Sequence, residues 1–122
     1  MSCYAHSLKG KAIEKWQLLL EHATAVARLG SSFSQSFNSE RFGELLGLLH
    51  DLGKARLSFQ TYLKKCNGIE GVNYDIGNHS HSSAGACWLN EKIKQFGPLL
   101  AYCVAGHHAG HFLEKPFCYK ER

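Results

Sequence analysis

The chain has 122 residues and lacks most of the features that would classify it at a glance. No apolar run approaches the roughly 20 residues a membrane-spanning helix needs, so no membrane partner is expected. The first residues lack the apolar core of a secretory signal, which makes a cytoplasmic location the expectation. No Cys-x-x-Cys occurs, and the cysteines (Cys3, Cys66, Cys87, Cys103 and Cys118) are odd in number. Both facts argue against a disulfide framework and a zinc ribbon, and predict reduced, mostly buried thiols. There is no internal repeat, no low-complexity tract and no convincing period-two strand. No Ser, Cys or Thr stands in a nucleophile motif. Positive charge is modest, net +4, and scattered, so it suits a polyanionic substrate without requiring one.

Histidine, by contrast, is plentiful: there are eight, five of them between His79 and His111. The length allows one domain with one core. At 44% hydrophobic and 20% charged residues, that domain is expected to be globular.

Periodicity predicts helices throughout. Trp16, Leu19, Leu20, Ala23, Val26 and Ala27 follow helical spacing, predicting a helix over 11–29 that Gly30 stops, with His22 able to turn inward. Residues 31–39 read as a serine-rich loop pinned by Phe33 and Phe37. Ser39 is a good N-cap for a helix carrying Phe42, Leu45, Leu46, Leu48 and Leu49 and delivering His50-Asp51. Gly53 breaks or turns it and would let backbone approach a ligand closely. A short helix is expected over 55–65, a loop over 66–78, and a helix over 82–96 ended by Gly97-Pro98. A buried helix over 99–105 leads into Gly106-His107-His108-Ala109-Gly110-His111. The class is all-α, a bundle of about five helices.

Within that frame His22, His50-Asp51, His81 and His107-His108 each lie on or beside a helix, mostly at its end. A bundle can bring such positions to one cleft. Five imidazoles and a carboxylate exceed what one ion needs, so two divalent ions are expected, with Asp51 as the natural bridge. The nitrogen-rich donor set favours Mn, Ni, Co or Fe over Mg, with Zn also admissible. Such a pair of ions suits phosphodiester or phosphomonoester hydrolysis. Lys54 could neutralise a phosphate, and Gly106 and Gly110 would allow a substrate near the backbone. His6 reads either as the rim of this site or as a solvated side chain.

The order H…HD…H…HH resembles the HD-domain superfamily of metal-dependent phosphohydrolases. It most resembles the HD nuclease domain of the CRISPR-associated type I helicase-nuclease. The motifs carrying the likeness run from Tyr4-Ala5-His6-Ser7 and Glu21-His22 through Leu48-Leu49-His50-Asp51-Leu52-Gly53-Lys54-Ala55 and Phe59-Gln60. They continue with His81-Ser82-Ser83-Ala84-Gly85-Ala86 and His107-His108-Ala109-Gly110-His111. The resemblance implies one ion on His22, His50 and Asp51, and a second on Asp51, His81, His107 and His108. It places Lys54 near the scissile phosphate and prefers His81 to His79 as ligand. Single-stranded DNA is the implied substrate. The implied partners are a fused or separate CRISPR-associated helicase and an RNA-guided surveillance complex. The whole chain, 1–122, is expected to be one such domain. The family's pattern closes with an aspartate on a later helix, whereas here only Glu114 and Glu121 are acidic after His108; the chain is expected to stop short of that helix. The competing readings are a phosphohydrolase of nucleotides or cyclic nucleotides, and a docking module without catalysis.

Overall fold

The computed structural model describes residues 2–69, 71 and 80–108. A small antiparallel hairpin, β1 (Tyr4–His6) and β2 (Gln17–Leu18), opens the chain. Among the described residues five α-helices follow: α1 (Leu19–Ser34), α2 (Glu40–Leu49), α3 (Leu57–Cys66), α4 (Ser82–Lys92) and α5 (Gly97–Ala105). The helical class expected from periodicity is therefore what the chain adopts.

The core forms where α4 and α5 pair. Ala86 and Leu89 meet Leu100, Ala101, Val104 and Ala105, and Leu45, Leu46 and Leu49 of α2 pack on them. The second pair, α1 and α2, crosses at glycine. A Cβ on Gly43 would overlap the Ser34 hydroxyl and the Gly30 carbonyl, and one on Gly47 would overlap the Ala27 backbone. Only hydrogen at these positions lets the two backbones come so close. Gly30 thus works inside α1 and does not stop it, and the helix runs on to Ser34, whose hydroxyl bonds the Gly30 carbonyl.

Several boundaries differ from expectation, each for a tertiary reason. The first helix begins at Leu19, not at residue 11, because Trp16 is used elsewhere. Its backbone is extended, its ring meets Tyr4 edge-on at 5.6 Å, and its indole N–H donates to the Lys11 carbonyl. The Leu19 N–H, orphaned at the helix start, is satisfied by the Cys3 carbonyl at 2.9 Å. Leu20, assigned to the apolar stripe, faces solvent. Phe33 and Phe37 are not pins: they are 73% and 66% exposed. They line an open apolar groove of about 560 Å³ together with Leu29, Phe42 and Leu46. Ser39 precedes α2 as expected, but its hydroxyl bonds the Phe37 carbonyl and caps nothing. Gly97-Pro98 opens α5 instead of closing α4; a proline at the first helical positions loses no intrahelical bond. The expectation of mostly buried thiols also fails. Cys66 and Cys103 are exposed, and Cys3 and Cys87 are half-buried. Cys118, most of the 66–78 loop, His79, Gly110, His111 and both late glutamates lie outside the described residues.

Candidate metal centre

Asp51 lies immediately after α2, at the start of a 3-10 turn over Leu52–Ala55, and is only 2% exposed. Every expected imidazole comes to its neighbourhood from an element end. His22 is in the first turn of α1, His50 caps α2, His81 precedes α4, and His107 and His108 form the turn after α5. Gly53 brings the 3-10 turn onto the start of α4: a Cβ there would collide with the His81 backbone. Its close approach is to the segment that carries His81.

The two carboxylate oxygens face different partners. Oδ2 lies 3.2 Å from His22 Nε2, 3.3 Å from His50 Nε2 and 2.8 Å from Lys54 Nζ. Oδ1 lies 3.4 Å from His81 Nε2 and 3.3 Å from His107 Nε2. His108, exposed at the rim, has its ring centroid 4.1 Å from that of His107, tilted, and 4.7 Å from that of His81, edge-on. Donor atoms of Asp51, His81, His107 and His108 all fall within 4.8 Å of one another, as do those of His6, His22 and Asp51.

Ring orientation follows from hydrogen bonding. His50 Nδ1 is 2.7 Å from the Gly47 carbonyl, and His107 Nδ1 is 2.6 Å from the Val104 carbonyl. A carbonyl can only accept, so each Nδ1 carries the hydrogen. In the neutral ring Nε2 is then a bare lone pair, and both lone pairs point at carboxylate oxygens. Two acceptors held at such distances repel unless a proton or a metal cation lies between them. His22 Nε2 is also 3.2 Å from His50 Nε2. Neighbouring donors on a shell of about 2.1 Å are ~3.0–3.4 Å apart, so the triangle formed by these two nitrogens and Oδ2 has the edges of one face of a coordination shell. His81 Nε2 is buried and has no hydrogen-bond partner. The donor set thus fits metal ions at both carboxylate oxygens.

Electrostatics point the same way. Burial pushes the Asp51 carboxyl up, but in the metal-free protein the His107, His50 and Lys54 groups facing it, the rings with a proton shared at Nε2, outweigh it and hold the carboxyl far below the usual carboxylate range. Burial lowers His81 to about 4. It also lowers His22, His6 and His108, so these rings are unprotonated and available at neutral pH. His50 is raised, chiefly by its hydrogen bond to Asp51. Lys54 is not solvated; it is 4% exposed, paired with Asp51, its ammonium 5.7 Å from the Phe59 ring centroid.

The sequence elements that build this centre are those of one family, and the family model described as "Cas3, HD domain" matches residues 2–116. The chain belongs to the Cas3 HD-domain family. No curated protein and no solved structure matches it. Membership implies a metal-dependent hydrolase, and a helical HD domain is what the fold shows.

Two residues of this HD domain hold places that spacing does not reveal. His6 reads from the sequence as rim or solvated, and its exposed ring meets that of His22 edge-on at 4.8 Å. Gln60 is buried, accepts from the Tyr4 N–H at 3.0 Å, and donates to the carbonyls of Tyr4 and Lys54 at 2.8 and 2.7 Å. The Phe59-Gln60 and Tyr4-Ala5-His6-Ser7 segments of the family likeness were the available signal for both.

Proposed function

We propose that this HD domain is a two-metal phosphodiesterase that degrades single-stranded DNA in CRISPR type I interference, working in the cytoplasm beside a fused or separate helicase and an RNA-guided complex. The observation that carries the reading is the division of partners at Asp51: His22 and His50 meet one oxygen, His81 and His107 the other. In this proposal Asp51 bridges two divalent ions, Mn, Ni, Co or Fe ahead of Mg. His22 and His50 join Asp51 at one ion, and His81, His107 and His108 join it at the other. Two such ions, when bound, lower the pKa of a water and offset the charge that builds on a phosphate during in-line attack.

The chain's own residues prepare this chemistry. The Gly47 and Val104 carbonyls lock the His50 and His107 rings with Nε2 directed inward, so no reorientation is needed when a cation arrives. Burial keeps His81 and His22 neutral, the state that ligates. Lys54 holds the bridging carboxylate in place through its 2.8 Å ion pair and contributes positive charge beside the ions. Among the described residues no helix is long and apolar enough to cross a membrane.

The test is degradation of single-stranded DNA by metal-stripped protein reloaded with Mn²⁺, Co²⁺ or Ni²⁺. Activity should appear with metal and fall by more than about 100-fold in Asp51→Ala, since losses of groups that merely support a ligand already cost ~10–100-fold. Hydrolysis of nucleotides or cyclic nucleotides without cleavage of any polynucleotide would replace the nuclease reading with the small-molecule one. Absence of both bound metal and hydrolysis would leave a docking module.

A further inference from the structure

Among the described residues the two halves of the centre hold different numbers of imidazoles. On the Oδ1 side Asp51 is joined by three imidazoles, His81, His107 and His108. On the Oδ2 side, among the described residues, His22 and His50 come from helices. We propose that His6 supplies the further imidazole on this side, as a ligand to the ion held by His22, His50 and Asp51. The hairpin β1–β2 thereby becomes a working part of the metal centre. This inference rests on the two-ion reading above.

Three observations place His6 there. First, its donor nitrogen lies within 4.8 Å of those of His22 and Asp51. Ligands on opposite sides of one ion are ~4.2 Å apart at a metal–nitrogen distance near 2.1 Å, so a shift of about half an ångström would bring His6 onto an ion shared with His22 and Asp51. Second, the strand that carries it is bulged. Tyr4 pairs with Leu18 and His6 with Gln17, so two steps along β1 face one step along β2. Ala5, the extra residue, is buried. A bulge re-aims the side chain that follows it. Third, the strand is fastened to the catalytic turn itself. The buried Gln60 amide bridges the Tyr4 backbone and the Lys54 carbonyl, and Cys3 accepts from the Leu19 N–H at the head of the helix that carries His22. Both neighbours of the proposed ion, the Asp51–Lys54 turn and the start of α1, are therefore tied to β1 or to Cys3 just before it. A hairpin needed only to cover the end of a helix requires neither the buried amide nor the bulge.

The measurement is calorimetric titration of metal-stripped, full-length protein with Co²⁺. Wild type should take two ions. His6→Ala should bind one as before and the other more than about tenfold more weakly, with added free imidazole restoring the lost affinity. Ser7→Ala, one residue along, should leave both unchanged. Wild-type affinity for both ions in His6→Ala overturns the assignment, and so does an equal loss in Ser7→Ala, which would mark a loosened hairpin. If wild type takes a single ion, the two-ion reading fails by itself. The His6 assignment then stands if His6→Ala weakens that ion and falls if it does not. Should His6→Ala not fold, ring ¹⁵N resonances of wild type during Zn²⁺ titration decide. His6 should shift together with His22, and a stationary His6 beside a moving His22 overturns the proposal.

Discussion

Asp51 owes its behaviour partly to His50 and Lys54, close in sequence, and partly to His107, 56 residues away, while burial by distant segments acts on the rings around it. His81 is the clearest case. Burial lowers its pKa to about 4 from an ordinary value of 6.5, so the unfolded chain binds a proton at this residue more readily than the folded one. Its contribution to the stability of metal-free protein is therefore complete above about pH 6.5 and is lost as pH falls toward 4. The stability difference between wild type and His81→Gln, from urea unfolding of metal-free protein at a series of pH values, should move against wild type across that window. A difference that is flat with pH would mean that His81 is not held neutral by burial. Its place just before an apolar helical stretch made this residue a candidate, and the family resemblance preferred it to His79. That its Nε2 ends buried and without a hydrogen-bond partner was not legible, because burial is contributed by other parts of the chain.

Two elements carry the geometry. The α1–α2 crossing sets where His22 meets His50, and Gly43 is its tightest point. Gly43→Val should force the helices apart and cost at least ~1–3 kcal/mol in denaturant unfolding, the scale of overpacking in a filled interior. An unchanged midpoint would show that the helices can separate freely. The hairpin depends on Gln60. Gln60→Leu keeps the bulk of the side chain but leaves the Tyr4 N–H and two carbonyls without their partner, a loss of about 1–3 kcal/mol. Amide exchange at Tyr4 should accelerate accordingly, and protection equal to wild type would refute the clamp. Helices α2 and α3 were readable to within a residue or two because their apolar spacing is local. The start of α1 was not: Trp16 continues the helical stripe on paper, but pairing with Tyr4 draws it into extended backbone. Gly97-Pro98 shows the same ambiguity, since the pair can close one helix or open the next, and the packing of Gly97 against the Leu89 carbonyl selects the second.

At the scale of the whole molecule, the centre is the point where α1, α2, α4, α5 and the hairpin converge, so ions bound there would tie the α1–α2 pair, the α4–α5 pair and the hairpin to one another. Binding to the folded state alone raises stability by RT ln(1 + [L]/Kd), about 2.7 kcal/mol at a hundredfold excess over Kd. The melting temperature of metal-stripped protein should thus climb steadily with the logarithm of added Mn²⁺ or Co²⁺, and chelator should reverse it. Calorimetry showing no metal dependence would separate the centre from the fold. The sequence by itself determined the helical class, through apolar spacing, and the kind of chemistry, because nitrogen and carboxylate donors are properties of side chains and survive in any conformation. Only the tertiary structure decided which oxygen of Asp51 each imidazole meets, that Lys54 is buried against it, and that His6 reaches the same place. Those outcomes depend on helix crossings of closely approached backbone, on a bulge and on a buried amide, and each of these is settled by contacts between segments many residues apart.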